Sequence, residues 1–419
     1  MTHVQDDLQP TDTTQPTRTR QGGSLWRNKA YMLLWSGQVV SAIGSQVSAL
    51  AFPLLIFTLT GSPAQTGIMA ALRIIPYLLF GLPAGALVDR WDRKRVMILC
   101  DTGRALALGS VPAALMLGHL TILQLYVVSF VEGTLFIFFG LAETACLPHV
   151  VSAELLPAAT AQNEFIFSLS GLLGPSLSGI LYTLGTMFPF LVDAVSYVVS
   201  VISLLFIRTD FQKKRTHETQ RLHIEVAEGI HWLWRHEIIR FLALLLAVLN
   251  GSCIGYILVF IVLLQGFHAS HIVLGLILAC GGVGSIAGAF MAGPLIRRFR
   301  FGHLLIGATW IWALTWLFFI IAPNPFVLGV VTVLSFIIVP IHAAVQYTYR
   351  LTHIPDHLQG RVNSVFRMLL FTSQTLGYVV TGFLLQTAGV VATVLILFVP
   401  QLLLAIATTV YGKVRREGW

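Results

Sequence analysis

Ionisable side chains inside long apolar runs are costly to place there, so they are the first candidates for chemistry. Glu132 stands in the apolar run 122–147 with no base near it in that run. A desolvated carboxyl favours its protonated form, which makes Glu132 a candidate for carrying a proton or meeting a cationic ligand. Arg73 stands at a comparable depth in another run. If it reaches Glu132, the two form a buried ion pair instead. A third reading is a protonated acid bonded to nearby backbone. Asp101 and Arg104, three residues apart on one predicted helix, are expected to neutralise each other. Glu143 is expected to join them in a buried ion network. Glu164 and Asp193 lie near run ends and are expected at the water interface.

Uncharged polar residues in the same runs are expected to line a cavity. Gln38, Ser41 and Ser45 share one helical face; Asn250, Asn363 and Gln374 stand alone; His342 and Gln346 are four apart. Gln38 and Gln346 are the stronger candidates, and His342 is expected as a packing residue. Phe136, Phe139, Trp310, Trp312 and Trp316 offer stacking surfaces, although aromatic residues in such runs mostly face lipid or the interface. No G-x-x-x-x-G-K-[ST], H-E-x-x-H or G-x-S-x-G sequence is present. Nucleotide-driven work and intramembrane hydrolysis therefore lack their usual chemistry, and no enzyme activity is expected. The four cysteines sit in apolar runs without C-x-x-C spacing. They are expected as small core residues, with no metal site and no cofactor.

The elements that position these residues follow from composition. The 419 residues are 56% hydrophobic and 11% charged, with mean hydropathy +0.80. Soluble domains carry roughly 25% charged residues, so an all-α integral membrane protein is the class that fits. Twelve spans are expected, near 31–58, 64–88, 95–117, 122–147, 158–184, 187–207, 239–265, 270–295, 302–322, 326–349, 362–387 and 390–411. Lys and Arg cluster at both termini and in the even-numbered connections, except the loop after the fourth span (His149 to Pro157), and the odd-numbered connections have none. Both termini are therefore expected in the cytoplasm of a multi-pass protein of the cytoplasmic membrane. The net charge of +8 reads as topology, not nucleic-acid binding. Residues 1–25 are expected as a disordered tail, 26–208 as a six-helix bundle, 209–238 as a cytoplasmic linker, 239–412 as a second six-helix bundle and 413–419 as a tail. Val226, Ile230 and Leu233 give the linker an amphipathic helix.

A charged turn, Gly81 to Arg95, joins the second and third spans. It repeats in degenerate form from Gly293: Gly85, Leu87, Val88 and Arg90 match Gly293, Leu295, Ile296 and Arg298, with Arg297 where Asp89 stands. A repeated half with a linker between is the layout of transporters built from two pseudo-symmetric bundles.

The turn resembles the signature of the major facilitator superfamily, G-x-x-x-D-R-x-G-R-K. Here it reads Gly85, Asp89, Arg90, Asp92, Arg93 and Lys94, with Asp92 in place of the second Gly. That variant, Asp101-x-x-Arg104 and the stretch from Ala227 to Arg235 resemble an exporter-rich branch that includes enterobactin exporters and macrolide efflux pumps. The resemblance implies that Asp89 meets the start of helix 11, near Arg361, and latches the outward-facing state. A carboxylate at a helix N-terminus suits that role. Arg93 could also pair with Glu143, while Arg90 and Lys94 read mainly as topology. Gly174, Pro175 and Gly179 in the fifth span are similar to an antiporter signature, with Ser178 where a Gly is usual; helix packing is the plain alternative. The resemblance further implies that spans 1, 4, 7 and 10 line a central cavity. The expected function is proton-coupled export of a small apolar or amphipathic molecule by a monomer in the lipid bilayer. An uptake symporter and a non-transporting sensor are the alternatives.

Overall fold

Apolar backbone away from water must satisfy its hydrogen bonds within the segment, and these runs do so as helices. The computed structural model describes residues 25–207, 222–416 and Gly418. The expected N-terminal tail up to residue 24, the linker bases Lys213, Lys214, Arg215 and Arg221, and the Val226 side chain lie outside the described residues.

The first half comprises α1 (Lys29–Thr60), α2 (Pro63–Val88), α3 (Arg93–Met116), α4 (Ile122–Val150), α5 (Leu156–Leu184) and α6 (Phe188–Phe206). A helix α7 (Leu222–Arg235) precedes the second half. That half comprises α8 (Glu237–Cys253), α9 (Tyr256–Gly266), α10 (His271–Arg298), α11 (Phe301–Ile321), α12 (Pro325–His353), α13 (Asp356–Val410) and the short α14 (Gly412–Arg416). Starts are set by capping side chains: Asn28, Ser62, Asp92, Thr121 and Asn324 each accept a backbone N–H of the first turn.

Two elements differ from the expected spans. The seventh span is broken at Ile254–Gly255 into α8 and α9. The eleventh and twelfth are continuous in helical assignment as α13, whose 55 residues would run about 80 Å if straight, against a bilayer core of about 30 Å. Gly389, at φ 76° and ψ 179°, breaks that run and turns the chain back. Glycine reaches this backbone region without the penalty a side chain brings. With the run divided at Gly389, the described residues supply twelve candidate membrane spans, six in each half.

Helices α1 to α6 pack among themselves, as do α8 to α14. The halves meet along two seams, α2 with α13 and α5 with α10. Both seams are tight at the end that carries the α1–α2 connection. There the Ser62 hydroxyl donates to Gln386 Oε1 at 2.9 Å, and Gly67 lies against the Tyr378 carbonyl. Gly275 of α10 lies against the Pro175 carbonyl of α5, and Gly179 of α5 against the His271 carbonyl. At the opposite end the last glycines of α2 and α10 face open space. A Cβ built on Gly81, Gly85 or Gly293 would meet no atom within 4 Å.

Helix α7 docks on the start of α13. Leu233 is buried, Gly229 abuts the Arg361 backbone, and Arg361 pairs with Glu228. Ile230, expected on the buried stripe, is exposed, because the docked face runs from Gly229 to Leu233. At the same end Lys413 of α14 pairs with Glu237 of α8, and that bond holds the ammonium above the usual lysine range.

Candidate functional site: a buried ionic cluster

Gly133 lets α4 approach α2. A Cβ there would strike the Arg73 carbonyl, so a side chain would force the helices apart. This approach sets the neighbouring Glu132 against the Arg73 side chain. Arg73 Nε lies 2.8 Å from Glu132 Oε2, and Arg73 Nη2 donates to Oε1 at 3.3 Å. From α3, Arg104 donates to the same Oε1 at 3.2 Å and to Asp101 Oδ1 at 3.3 Å. Arg104 also donates to the Ser45 hydroxyl of α1 at 3.2 Å and to the Tyr197 hydroxyl of α6. Its guanidinium lies over the Tyr197 ring, 3.9 Å from the centroid. The Ser45 and Tyr197 hydroxyls are 2.8 Å apart and bonded.

Glu132 and Asp101 are fully buried and Arg104 is 2% exposed. Glu132 therefore does not stand alone as a desolvated acid. Two guanidinium groups hold it, and the arrangement favours a carboxylate over a proton carrier. The Asp101–Arg104 pair is not self-contained either, since Arg104 joins it to Glu132. Glu143 stays outside the cluster; among the described residues it forms no ion pair with Arg93 or Arg104. Arg93 instead donates to the Ala145 carbonyl at 3.0 Å and to Asp89 at 3.4 Å.

Asp193 corrects the sequence expectation most. It is fully buried on α6, one turn before Tyr197, not at the interface. Its Oδ1 accepts from Ser196 at 3.2 Å, and its Oδ2 has no partner among the described residues. Gly44 of α1 makes room for it: a Cβ there would lie 2.6 Å from Oδ1. The spacing Asp193, Ser196, Tyr197 on one face of an apolar helix was the available signal. Glu164, also expected at the interface, is exposed.

The remaining candidates are spread out. Gln38 is half-buried on α1, with its amide nitrogen unpartnered among the described residues. Gln346 is buried in the second half, 3.4 Å from the His342 ring nitrogens. Asn250 lies on α8, where its amide nitrogen donates to the Leu246 carbonyl at 3.0 Å. Trp316 and Phe139 are buried and do not face lipid.

In the charged turn, Asp89 ends α2 with its side chain 45% exposed and bonded to Arg93. The start of α13 is engaged by Glu228 of α7. Lys94 donates to the Ile207 carbonyl at the end of α6, where a cation is favoured by the helix dipole. Arg90 is exposed, and Asp92 caps α3 by accepting from the Arg95 N–H at 3.1 Å. The helix 5 motif touches both halves: Gly174 packs on Gln46 of α1, while the Pro175 carbonyl and Gly179 face α10.

Twelve candidate spans in two bundles, joined by two seams and holding a buried ion network, are the layout of a membrane transporter. The chain belongs to the major facilitator superfamily, in the family described as transmembrane secretion effectors, whose model matches residues 23–417. It is 26% identical over 396 residues to the multidrug efflux pump Tap of Mycolicibacterium fortuitum, covering 92% of this chain and 96% of that protein. Among solved structures, it matches a bacterial homologue of the iron transporter ferroportin in the inward-facing state. That match has TM-score 0.74 and 16% identity, and covers 94% of this chain and 100% of the other. The outward-facing state of a bacterial ferroportin homologue matches with TM-score 0.58 and 18% identity, covering 91% of this chain and 99% of the other.

Proposed function

We propose that the chain exports a small apolar or amphipathic organic molecule across the cytoplasmic membrane, driven by proton entry, through alternating access of its two halves. The observation that carries this reading is the asymmetric closure. Both seams are tight at one end, while Gly81, Gly85 and Gly293 face open space at the other, which supports the one-sided opening an alternating-access carrier requires at each stage. The Lys and Arg distribution supports a cytoplasmic location for the open end and both termini. The higher TM-score for an inward-facing relative supports the same orientation. The direction of transport follows the efflux relative.

Charge counting selects the proton carrier. Arg73 and Arg104 face Glu132 and Asp101, which balance them. Asp193 is the surplus acid of this cluster, near both arginines and Glu132 but bonded by the Ser196 hydroxyl and, among the described residues, by no base. A third carboxylate in this enclosure would be uncompensated, so Asp193 is the group that takes up and releases a proton. The cluster lies within one half, and the chain is proposed to work as a monomer.

The turn at Asp89 is proposed to act in the opposite state. With the cytoplasmic side closed, the start of α13 would approach α2, and Asp89 would meet its N-terminus in competition with Glu228. A susceptibility screen in an efflux-deficient host tests the reading. Cells with the wild-type chain are expected to tolerate several-fold more of at least one drug class. Asp89→Asn is expected to lose most of that tolerance at equal membrane abundance. Unaltered susceptibility to every drug in cells that insert the wild-type chain would overturn export. Full tolerance with Asp89→Asn would reduce the turn to topology.

A further inference from the structure

A cavity of 180 Å³ lies inside the second half, where α8 and the start of α9 face α11 and α12. It adjoins the break in the seventh span, between Cys253 and Tyr256. The break has a packing cause. Gly255 abuts the Thr381 side chain, and a Cβ on Gly251 would lie 3.0 Å from the Ser373 carbonyl oxygen. Interrupted membrane helices are where transporters build binding sites.

The walls define what fits. Tyr256, Trp312, Trp316 and Phe336 present aromatic surfaces, and no acidic or basic side chain lines the space. The occupant is therefore apolar and uncharged. The Trp312 indole N–H is already used, donating to Cys253 Sγ at 2.8 Å.

Ser335 supplies the polar feature. It is 9% exposed and lines the cavity, yet its hydroxyl has no partner among the described residues. Hydroxyls in membrane helices usually donate to their own backbone, as Thr332 does to Leu328 at 2.7 Å and Thr315 to Trp312 at 3.0 Å. Ser335 does not. The Asn250 amide nitrogen is used within α8, which leaves its carbonyl oxygen to accept. Size is the last constraint. An apolar cavity of about 150 Å³ takes benzene, so a single substituted ring fits in this one.

We propose that this cavity is a binding site for an uncharged aromatic ring bearing one hydroxyl, with Ser335 and Asn250 as its hydrogen-bond partners. As the receptor for one ring of an exported molecule it rests on the export reading; as a binding site it does not.

Fluorine NMR on the purified full chain, with 4-fluorophenol and 4-fluorotoluene as probes, tests the site. Both probes are expected to bind saturably. Ser335→Ala is expected to weaken 4-fluorophenol by roughly fivefold and leave 4-fluorotoluene unchanged. Val339→Phe, which fills the cavity, is expected to abolish both. Both variants are compared at matched unfolding midpoints; if Val339→Phe fails to fold, the Ser335→Ala contrast decides alone. No saturable binding, or 4-fluorophenol binding indifferent to Ser335→Ala, overturns the site. Export by the same wild-type preparation is read separately in vesicles. Probe binding without export would sink only the export reading, and export without probe binding only the site.

Discussion

Glu132→Gln is expected to destabilise the protein by about 3–5 kcal/mol, the cost of breaking a buried ion pair from one side. The substitution keeps the shape and removes the charge that both Arg73 and Arg104 face. Arg104 would then keep Asp101 alone, and Arg73 would have no carboxylate partner. The loss should appear as a lower thermal midpoint of the purified protein, before any effect on transport is interpreted. Adding Arg73→Gln should recover part of the loss, because the partners are coupled. If Glu132→Gln is as stable as wild type, the acid was already neutral and the cluster is not a compensated ion network. A transport defect in Glu132→Gln alone therefore says nothing about proton coupling.

Asp193→Asn is expected to behave in the opposite way. Asparagine keeps the contact with Ser196 and removes no charge that an arginine needs. Stability should change by less than about 1 kcal/mol, as expected for a substitution that leaves no buried group newly unpaired. Transport should lose its drive. One proton entering at 100 mV supplies about 2.3 kcal/mol. That sustains roughly a fiftyfold concentration ratio of an uncharged substrate. With Asp193→Asn the carrier should only equilibrate its substrate, with little dependence on external pH. Retention of a steep ratio would move the coupling role to another acid.

The span count, the paired bundles and the charged turn were legible because each depends on local composition. Apolar length gives the helices, and Gly85 to Lys94 is a contiguous motif. The break at Ile254–Gly255 was not legible, since it reflects contact with Thr381, far along the chain. The docking of α7 escaped in part for the same reason: which face of the linker helix is buried depends on Arg361 of α13. Arg73 and Glu132 could be matched by depth, yet depth could not reveal that Arg104 joins them or that Gly133 sets the approach. Asp193 was misread because a position near a helix end suggests water, while α1 and Gly44 enclose it.

The most direct measurement uses everted membrane vesicles acidified inside, with ethidium and radiolabelled erythromycin as probes. Vesicles carrying the chain are expected to accumulate at least one probe above vesicles lacking it. A protonophore should collapse that accumulation, and Asp193→Asn should not establish it. Equal accumulation with and without the chain, or accumulation that survives the protonophore, would contradict proton-driven export.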